Sequence, residues 1–443
     1  MTTKLMSKTQ QAIQTIALKA MKYPECKFTS LIHLLTEDFL VECFRELKRN
    51  KSPGIDGVTV NEYEKQLDEN IADLVARLKS KKYRPKPVKR VYIPKPNGDK
   101  RPLGIPAIED KIVQMAIKKI LEAIFEQDFI DTSYGFRPDL SCHDALKQLD
   151  KIIMKYPVNF IVDMDISKFF DTVNHKYLME FLRQRITDSN LLQLISRFLK
   201  SGIMEEGIYF ETDQGTPQGG ILSPVLANVY LHYVLDLWFE NEVIPQLNGY
   251  AQLIRYADDF VVCFENEKET MIFADALRQR MRKFGLTISE EKSKIIEFGR
   301  CPCQRAKKYG FKSETFDFLG FTHFCDKTRK GKFKLGRKTS RKKFTQKMKD
   351  MNLWLKHIRN RVELKEWWKS LGTKLLGHYL YYGMSGNFRG LQNFYDHTLR
   401  LAFKWINNRS QKKSYTWNKF QNFIQFNPLH KPKIYHSLYN LKT

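Results

Sequence analysis

The chain has 443 residues, 42% hydrophobic and 13% aromatic, with a formal net charge of +26. It is too long for one compact core and too apolar for a disordered polymer, so two or three domains are expected. No run of about 18 apolar residues is present, which argues against a membrane span. The segment Met1–Lys8 lacks the apolar core of a signal peptide, and the seven cysteines are scattered, so reduced thiols in the cytoplasm are expected.

Taken in order, residues 1–80 read as mainly helical, with Leu31, Leu34, Leu35, Phe39, Leu40, Phe44 and Leu47 at spacings of three and four. Ser52-Pro53-Gly54-Ile55-Asp56-Gly57 interrupts the pattern, and a second helix is expected from about Val60 to Leu78. Val91-Tyr92-Ile93 and Leu103-Gly104-Ile105 flank Asn97-Gly98, a hairpin signal with Lys95 and Arg101 on either side. Residues 107–127 have helical period, followed by the loop Ser133-Tyr134-Gly135-Phe136-Arg137-Pro138.

Phe160-Ile161-Val162-Asp163-Met164-Asp165 reads as a strand whose alternation puts Ile161, Asp163 and Asp165 on one face. The run Asp165-Ile166-Ser167-Lys168-Phe169-Phe170-Asp171 begins there. Gly215-Thr216-Pro217-Gln218-Gly219-Gly220 suits a backbone that closely approaches a flat ligand, and a helix is expected after it. Apolar runs flank Tyr256-Ala257-Asp258-Asp259, which predicts a strand–turn–strand hairpin. Adjacent carboxylates repel, and both stay ionised only beside a cation or strong donors. Together with a carboxylate on the earlier strand they form a candidate site for a pair of divalent metal ions. From these residues alone, Asp163 and Asp165 are both open as the third ligand.

Met271 to Phe284 is expected as a helix, Lys292 lies in the charged turn after it, and Ile295–Phe298 is expected as a strand. Cys301, Cys303, His323 and Cys325 are enough ligands for structural zinc, but their spacings are shorter than in zinc knuckles, so packed thiols are expected. From Ser340 a basic amphipathic helix is expected: Phe344, Met348, Met351, Leu355 and Ile358 form its apolar stripe, with Lys342, Lys343 and Lys347 beside it. Lys327–Thr443 carries 28 Lys or Arg against four Asp or Glu, a net +24 that leaves about +2 on the preceding 326 residues. Charge polarised in this way suits phosphate neutralisation on a nucleic acid.

The Asp165–Asp171 run, the Gly215–Gly220 loop and Tyr256-Ala257-Asp258-Asp259 occur in the order found in reverse transcriptases. From about residue 30 to the end, the wording resembles the reverse transcriptase/maturase proteins encoded by bacterial group II introns. The resemblance implies an α+β right-hand fold: a helical N-terminal extension (1–80), fingers and palm (81–326), and a basic helical thumb or maturase domain X (327–443). No Cys-x-x-Cys pairs of the C-terminal nuclease of many relatives follow.

The implied activity is RNA-directed DNA synthesis with two Mg²⁺ ions held by Asp165, Asp258, Asp259 and the Ile166 carbonyl. The resemblance assigns Lys95, Arg101, Gln218 and Lys292 to the incoming nucleotide and Phe170 to exclusion of the ribose 2′-hydroxyl. It assigns Arg137, Lys342, Lys343 and Lys347 to template or intron RNA. Implied partners are group II intron RNA, an RNA template, a DNA primer and dNTPs, with no membrane; a homodimer is left open. Alternatives are a maturase that only assists splicing, or a related reverse transcriptase of phage defence or CRISPR spacer acquisition.

Overall fold

Capping chemistry sets the first elements. The Ser7 hydroxyl accepts from the Gln10 amide and starts the helix Lys8–Lys22, while Thr36 does the same for Phe39 and the helix Glu37–Arg45. The apolar period seen from Leu31 therefore divides into a single 3₁₀ turn, Ile32–Leu34, and this helix. The helix expected over Val60–Leu78 is also two, Val60–Glu64 and Leu67–Lys79, and the Asn70 amide group donates to the freed Tyr63 carbonyl at 3.1 Å. Hydrophobic period alone does not reveal such breaks, because both pieces bury the same face.

The computed structural model describes residues 7–94, 100–217, 219–409 and 415–438. They form a mixed α/β protein of two compact units, Met1–Ala145 with Val162–Lys294, and Leu146–Ile161 with Ile295–Thr443. No helix among the described residues is long and apolar enough to cross a membrane.

In the first unit, Ile108–Phe125 is the central helix. Ile112, Val113, Ala116, Ile117, Ile120, Leu121 and Ile124 are all fully buried, more than one stripe, so the helix is covered on several sides. Val88–Pro94 (β1) and Lys100–Ile105 (β2) pair antiparallel with Ile93 opposite Arg101. The hairpin turn between them, with Lys95, lies outside the described residues. Phe160–Asp165 forms β3, and Ile203–Glu205 (β4) and Ile208–Phe210 (β5) extend the first sheet in the order β2-β1-β4-β5. Ala251–Tyr256 (β6) and Asp259–Phe264 (β7) form the hairpin expected around Asp258, with Tyr256 opposite Asp259. They join β3 in the order β6-β7-β3; Lys294–Glu297, where the chain passes into the second unit, is β8.

In the second unit, Thr315–Phe318 (β9), Phe321–Lys327 (β10) and Phe333–Thr339 (β11) form a meander of order β11-β10-β9. Leu319 and Gly320 make the two-residue loop with φ of 48° and 80°, the left-handed pair that suits the twist of a tight hairpin. Ser340 caps the helix Arg341–Ile358, followed by Leu364–Tyr382, Phe388–Asn407 and Trp417–Phe426. Of the expected apolar stripe, Met351 and Leu355 are buried.

Candidate active site

Asp258 sits in the two-residue loop between β6 and β7, where Ala257 has φ of 58°. That backbone region favours glycine, so the turn requires outside support. Gly135 lies against it: a Cβ on Gly135 would fall 2.2 Å from the Ala257 nitrogen, closer than any side chain tolerates. The Thr132 carbonyl accepts from the Arg255 amide at 2.9 Å and the Arg255 carbonyl from the Tyr134 amide at 2.8 Å, so loop 132–135 splints the end of β6.

Behind the turn is a buried ion pair. Arg255 and Asp236 are both fully buried; Arg255 Nε donates to Asp236 Oδ1 at 2.7 Å and Nη2 to Oδ2. Arg255 Nη1 also donates to the Ala257 carbonyl and to Asn228 Oδ1, each at 3.1 Å, and Asn228 Nδ2 donates to the Gly135 carbonyl at 2.7 Å. Asp236 ends a π-helical turn, His232–Asp236. Burial would raise its carboxyl, but Arg255 and His232 outweigh that and hold it below the usual range. The bidentate pair thus stays charged and ties the turn to the protein interior.

Asp165 ends β3, and a second strand-like segment fixes it. The Asp165 carbonyl accepts from the Ser289 amide at 2.8 Å, and the Thr287 carbonyl accepts from the Ser167 amide at 2.8 Å. This contact carries Lys292 to the site, where its ammonium donates to Asp165 Oδ2 at 2.9 Å. Both groups are substantially exposed, so the pair is weak and exchangeable. Burial pushes the Asp258 carboxyl above its usual range and Asp165 adds to that push, against its own backbone amide, Arg101 and Arg255. Asp165 is thus a carboxylate on β3 whose charge bears on Asp258. Arg101, from the far strand of the first hairpin, acts on the same carboxyl. Asp259, opposite Tyr256, is exposed.

Asp165 and Asp258 are hard oxygen donors, which fits Mg²⁺ rather than a soft metal. The Lys292 ammonium stands on Asp165 as a cation in this conformation. Among the described residues no group of three or more His, Cys, Asp or Glu side chains is already gathered around one point.

Phe170 lines a cavity of about 230 Å³ with Val88, Arg90, Gly104 and Gly215. The Gly215 loop is clamped onto the Phe170 segment: Phe170 O accepts from the Thr216 amide and Val173 O from the Gly215 amide, each at 2.7 Å. Gly215 has φ of 85°, and a Cβ there would lie 2.9 Å from the carbonyls of Phe170 and Asp171. His175 Nε2 donates to the Gly215 carbonyl at 2.6 Å, and burial pushes its imidazole pKa down, so the ring stays neutral. Gln218 lies outside the described residues.

Residues 93–323 match the family described as reverse transcriptase (RNA-dependent DNA polymerase). The chain belongs to this family. Protein YkfC of Escherichia coli (strain K12) is 34% identical over 309 residues, 61% of this chain and 80% of YkfC. Group II intron-encoded protein LtrA of Lactococcus lactis subsp. cremoris is 34% identical over 307 residues, 67% of this chain and 51% of LtrA. Nuclear intron maturase 4, mitochondrial, of Arabidopsis thaliana is 29% identical over 133 residues, 30% of this chain and 16% of that protein. The resemblance read from the motifs is thus borne out, and the chain spans only about half of LtrA.

Within this reverse transcriptase, the residues expected at RNA have different environments. Arg137 is turned inward, onto Glu126 at 2.9 Å and the carbonyls of Ile130 and Ser133 at 2.8 and 2.7 Å. Lys342, Lys343 and Lys347 are exposed on one helix of the second unit. There too His323 is fully buried and stacked on Phe316 at 4.8 Å, with its pKa pushed down to about 3 by burial and Arg337. Cys325 Sγ donates to the Gly299 carbonyl at 3.7 Å. The pattern-based reading missed Arg255, Asp236, Asn228 and His175. Two of them carried a signal: Arg255 follows Leu253-Ile254 and Asp236 follows Val234-Leu235. A single charge inside an apolar run implies a buried counter-charge.

Proposed function

We propose that the chain is an RNA-directed DNA polymerase encoded by a group II intron, and that it also binds the intron RNA and assists its splicing. The observation that carries the polymerase reading is the Asp258 hairpin turn, on whose carboxyl Asp165 and Arg101 both act, with Lys292 paired to Asp165 and Phe170 lining a cavity with Gly215. In this reading residues 81–326 are fingers and palm, preceded by the helical extension 1–80 and followed by the basic thumb. Asp165, the Ile166 carbonyl, Asp258 and Asp259 would hold two Mg²⁺ ions. When bound, these supply positive charge that eases ionisation of the primer 3′-hydroxyl and offsets the charge on the leaving pyrophosphate.

The residues of the chain do the rest by position. Arg255 and Gly135 keep the Asp258 turn in its left-handed conformation. Lys292 is held by a weak contact that a triphosphate can replace, and Arg101 reaches the same site from β2. Phe170, backed by Phe169 at 5.3 Å and pinned by the Gly215 loop, presents a wall against a 2′-hydroxyl. Arg137 in this reading holds its own loop and leaves RNA to the lysines of the second unit. Intron binding rests on those lysines and on the likeness to intron-encoded proteins. A role in splicing alone would use the basic helices but not the paired carboxylates.

The test is extension of a DNA oligonucleotide annealed to RNA, with dNTPs and Mg²⁺, together with self-splicing of the intron RNA that surrounds the coding sequence. Full-length cDNA and faster splicing at low Mg²⁺ are expected. A folded chain that binds RNA yet extends no primer would leave only the splicing role.

A further inference from the structure

The helix Arg300–Tyr309 belongs to the second unit and precedes the strongly basic segment. Its Pro302 and Ala306, four residues apart, are buried, Cys303 is half-buried, and its other residues are exposed. No acidic residue occurs from Arg300 to Ser313. Arg305 pairs with Glu297 at 3.2 Å and Arg300 donates to the Met154 carbonyl at 3.3 Å. Lys307, Lys308 and Lys312 are exposed and have no ion pair among the described residues.

The helix ends on Gly310 at φ of 77°, with the amides of Gly310 and Phe311 both reaching the Ala306 carbonyl. A Cβ on Gly310 would meet nothing within 4 Å, so the turn stands clear of its surroundings. On either side of it two large rings face outward, Tyr309 at 68% and Phe311 at 55% exposure. Lys308 Nζ lies 5.4 Å from the Tyr309 ring centroid. A face kept basic for solubility would not also expose two rings on one turn. Exposed rings interleaved with unpaired lysines do match the chemistry of unpaired bases and their phosphates.

We propose that the turn Lys307–Lys312 is a binding site for single-stranded RNA. Bases stack on Tyr309 and Phe311, and Lys307, Lys308 and Lys312 neutralise phosphates. The inference rests on the reading of the chain as an RNA-handling protein, and it adds a contact outside the 327–443 segment.

The experiment uses the full chain and a labelled uridine-rich single-stranded RNA carrying 4-thiouridine, with a blunt RNA duplex of equal length as the control. Tyr309→Ala/Phe311→Ala should weaken single-strand binding about five- to tenfold and leave the duplex unchanged, because only unpaired bases offer a face to stack on. Lys307→Ala/Lys308→Ala/Lys312→Ala should flatten the salt dependence of single-strand binding by about two units of slope. Photocrosslinks should fall on peptides from residues 305–312. The side chains are exposed, so thermal melting should not change. Crosslinks found only elsewhere, or single-strand affinity unchanged in the double aromatic variant, overturn the site and leave this turn to a protein partner. If the parent chain itself bound neither RNA, the failure would lie with the proposed function instead.

Discussion

In the first unit three arginines point inward, Arg255 to Asp236, Arg185 to Asp128 and Arg137 to Glu126, all with little exposure. In the second unit Lys342, Lys343 and Lys347 lie exposed along one helix, and Arg337 with Asp150 at 2.6 Å is a buried counterexample. Buried pairs are costly to break singly and set geometry to a fraction of an ångström. Exposed charges are individually weak, interchangeable and screened by salt, and they act as a sum. One unit thus carries charge suited to placing a reacting group, the other charge suited to holding a long anion.

The largest effect expected on that contrast comes from Asp258→Ala. Primer extension should fall by about 10³-fold or more, as loss of several kcal/mol of charge stabilisation implies. RNA affinity by filter binding should stay within about twofold. A comparable fall in affinity would erase the distinction between the units.

Asp236→Ala comes next. Leaving Arg255 buried and unpaired should cost about 3–5 kcal/mol, read as a shift in urea midpoint. The apolar replacement Arg255→Met/Asp236→Leu should regain most of that stability, yet extension should remain impaired because nothing then holds the Ala257 carbonyl. Full activity in the stable double variant would show that the pair supports the fold alone.

Lys342→Ala/Lys343→Ala/Lys347→Ala should leave stability nearly unchanged and reduce the slope of log affinity against log salt by about 2, at roughly 0.7 per phosphate. An unchanged slope would move RNA binding away from this helix. Phe170→Ala should raise ribonucleotide incorporation relative to deoxynucleotide by about tenfold, measured in the same extension assay. Unchanged discrimination in a well-extending variant would reassign Phe170 to packing.

The smallest effect is a pH dependence. Asp110 is 2% exposed, and burial raises its pKa to about 6 despite hydrogen bonds from the Tyr83 hydroxyl and the Lys86 amide. The folded chain holds this proton more tightly than the unfolded chain, so stability falls as pH rises from about 4 to about 6. Between pH 5 and pH 7 the loss should be about 1–2 kcal/mol in denaturant midpoints, and Asp110→Asn should remove that increment.

Much of the site was legible because its chemistry is local in the chain. Two carboxylates on a tight turn, a third on a strand rich in buried residues and a glycine-rich loop are visible wherever apolar runs bracket them. The family followed from their order, and the basic C-terminal segment from a count of charges. The hairpin turn at 257–258 and the helix start at Ser340 were equally readable, since turns and helix starts depend on neighbours within a few residues.

Contacts distant in sequence were hidden. Nothing near Asp165 says that Ser289 would bond its carbonyl and bring Lys292 to its carboxylate. Arg255 and Asp236 each declare a missing partner but not which one, because a buried charge needs compensation from any direction. Alternation places Asp163 and Asp165 on one face, and only the three-dimensional path of the 286–293 segment brings a lysine to Asp165. The inward turn of Arg137 and the outward turn of Tyr309 and Phe311 have the same origin. Composition determines how much charge and aromatic surface a chain has to place, and packing determines which of it is left facing water.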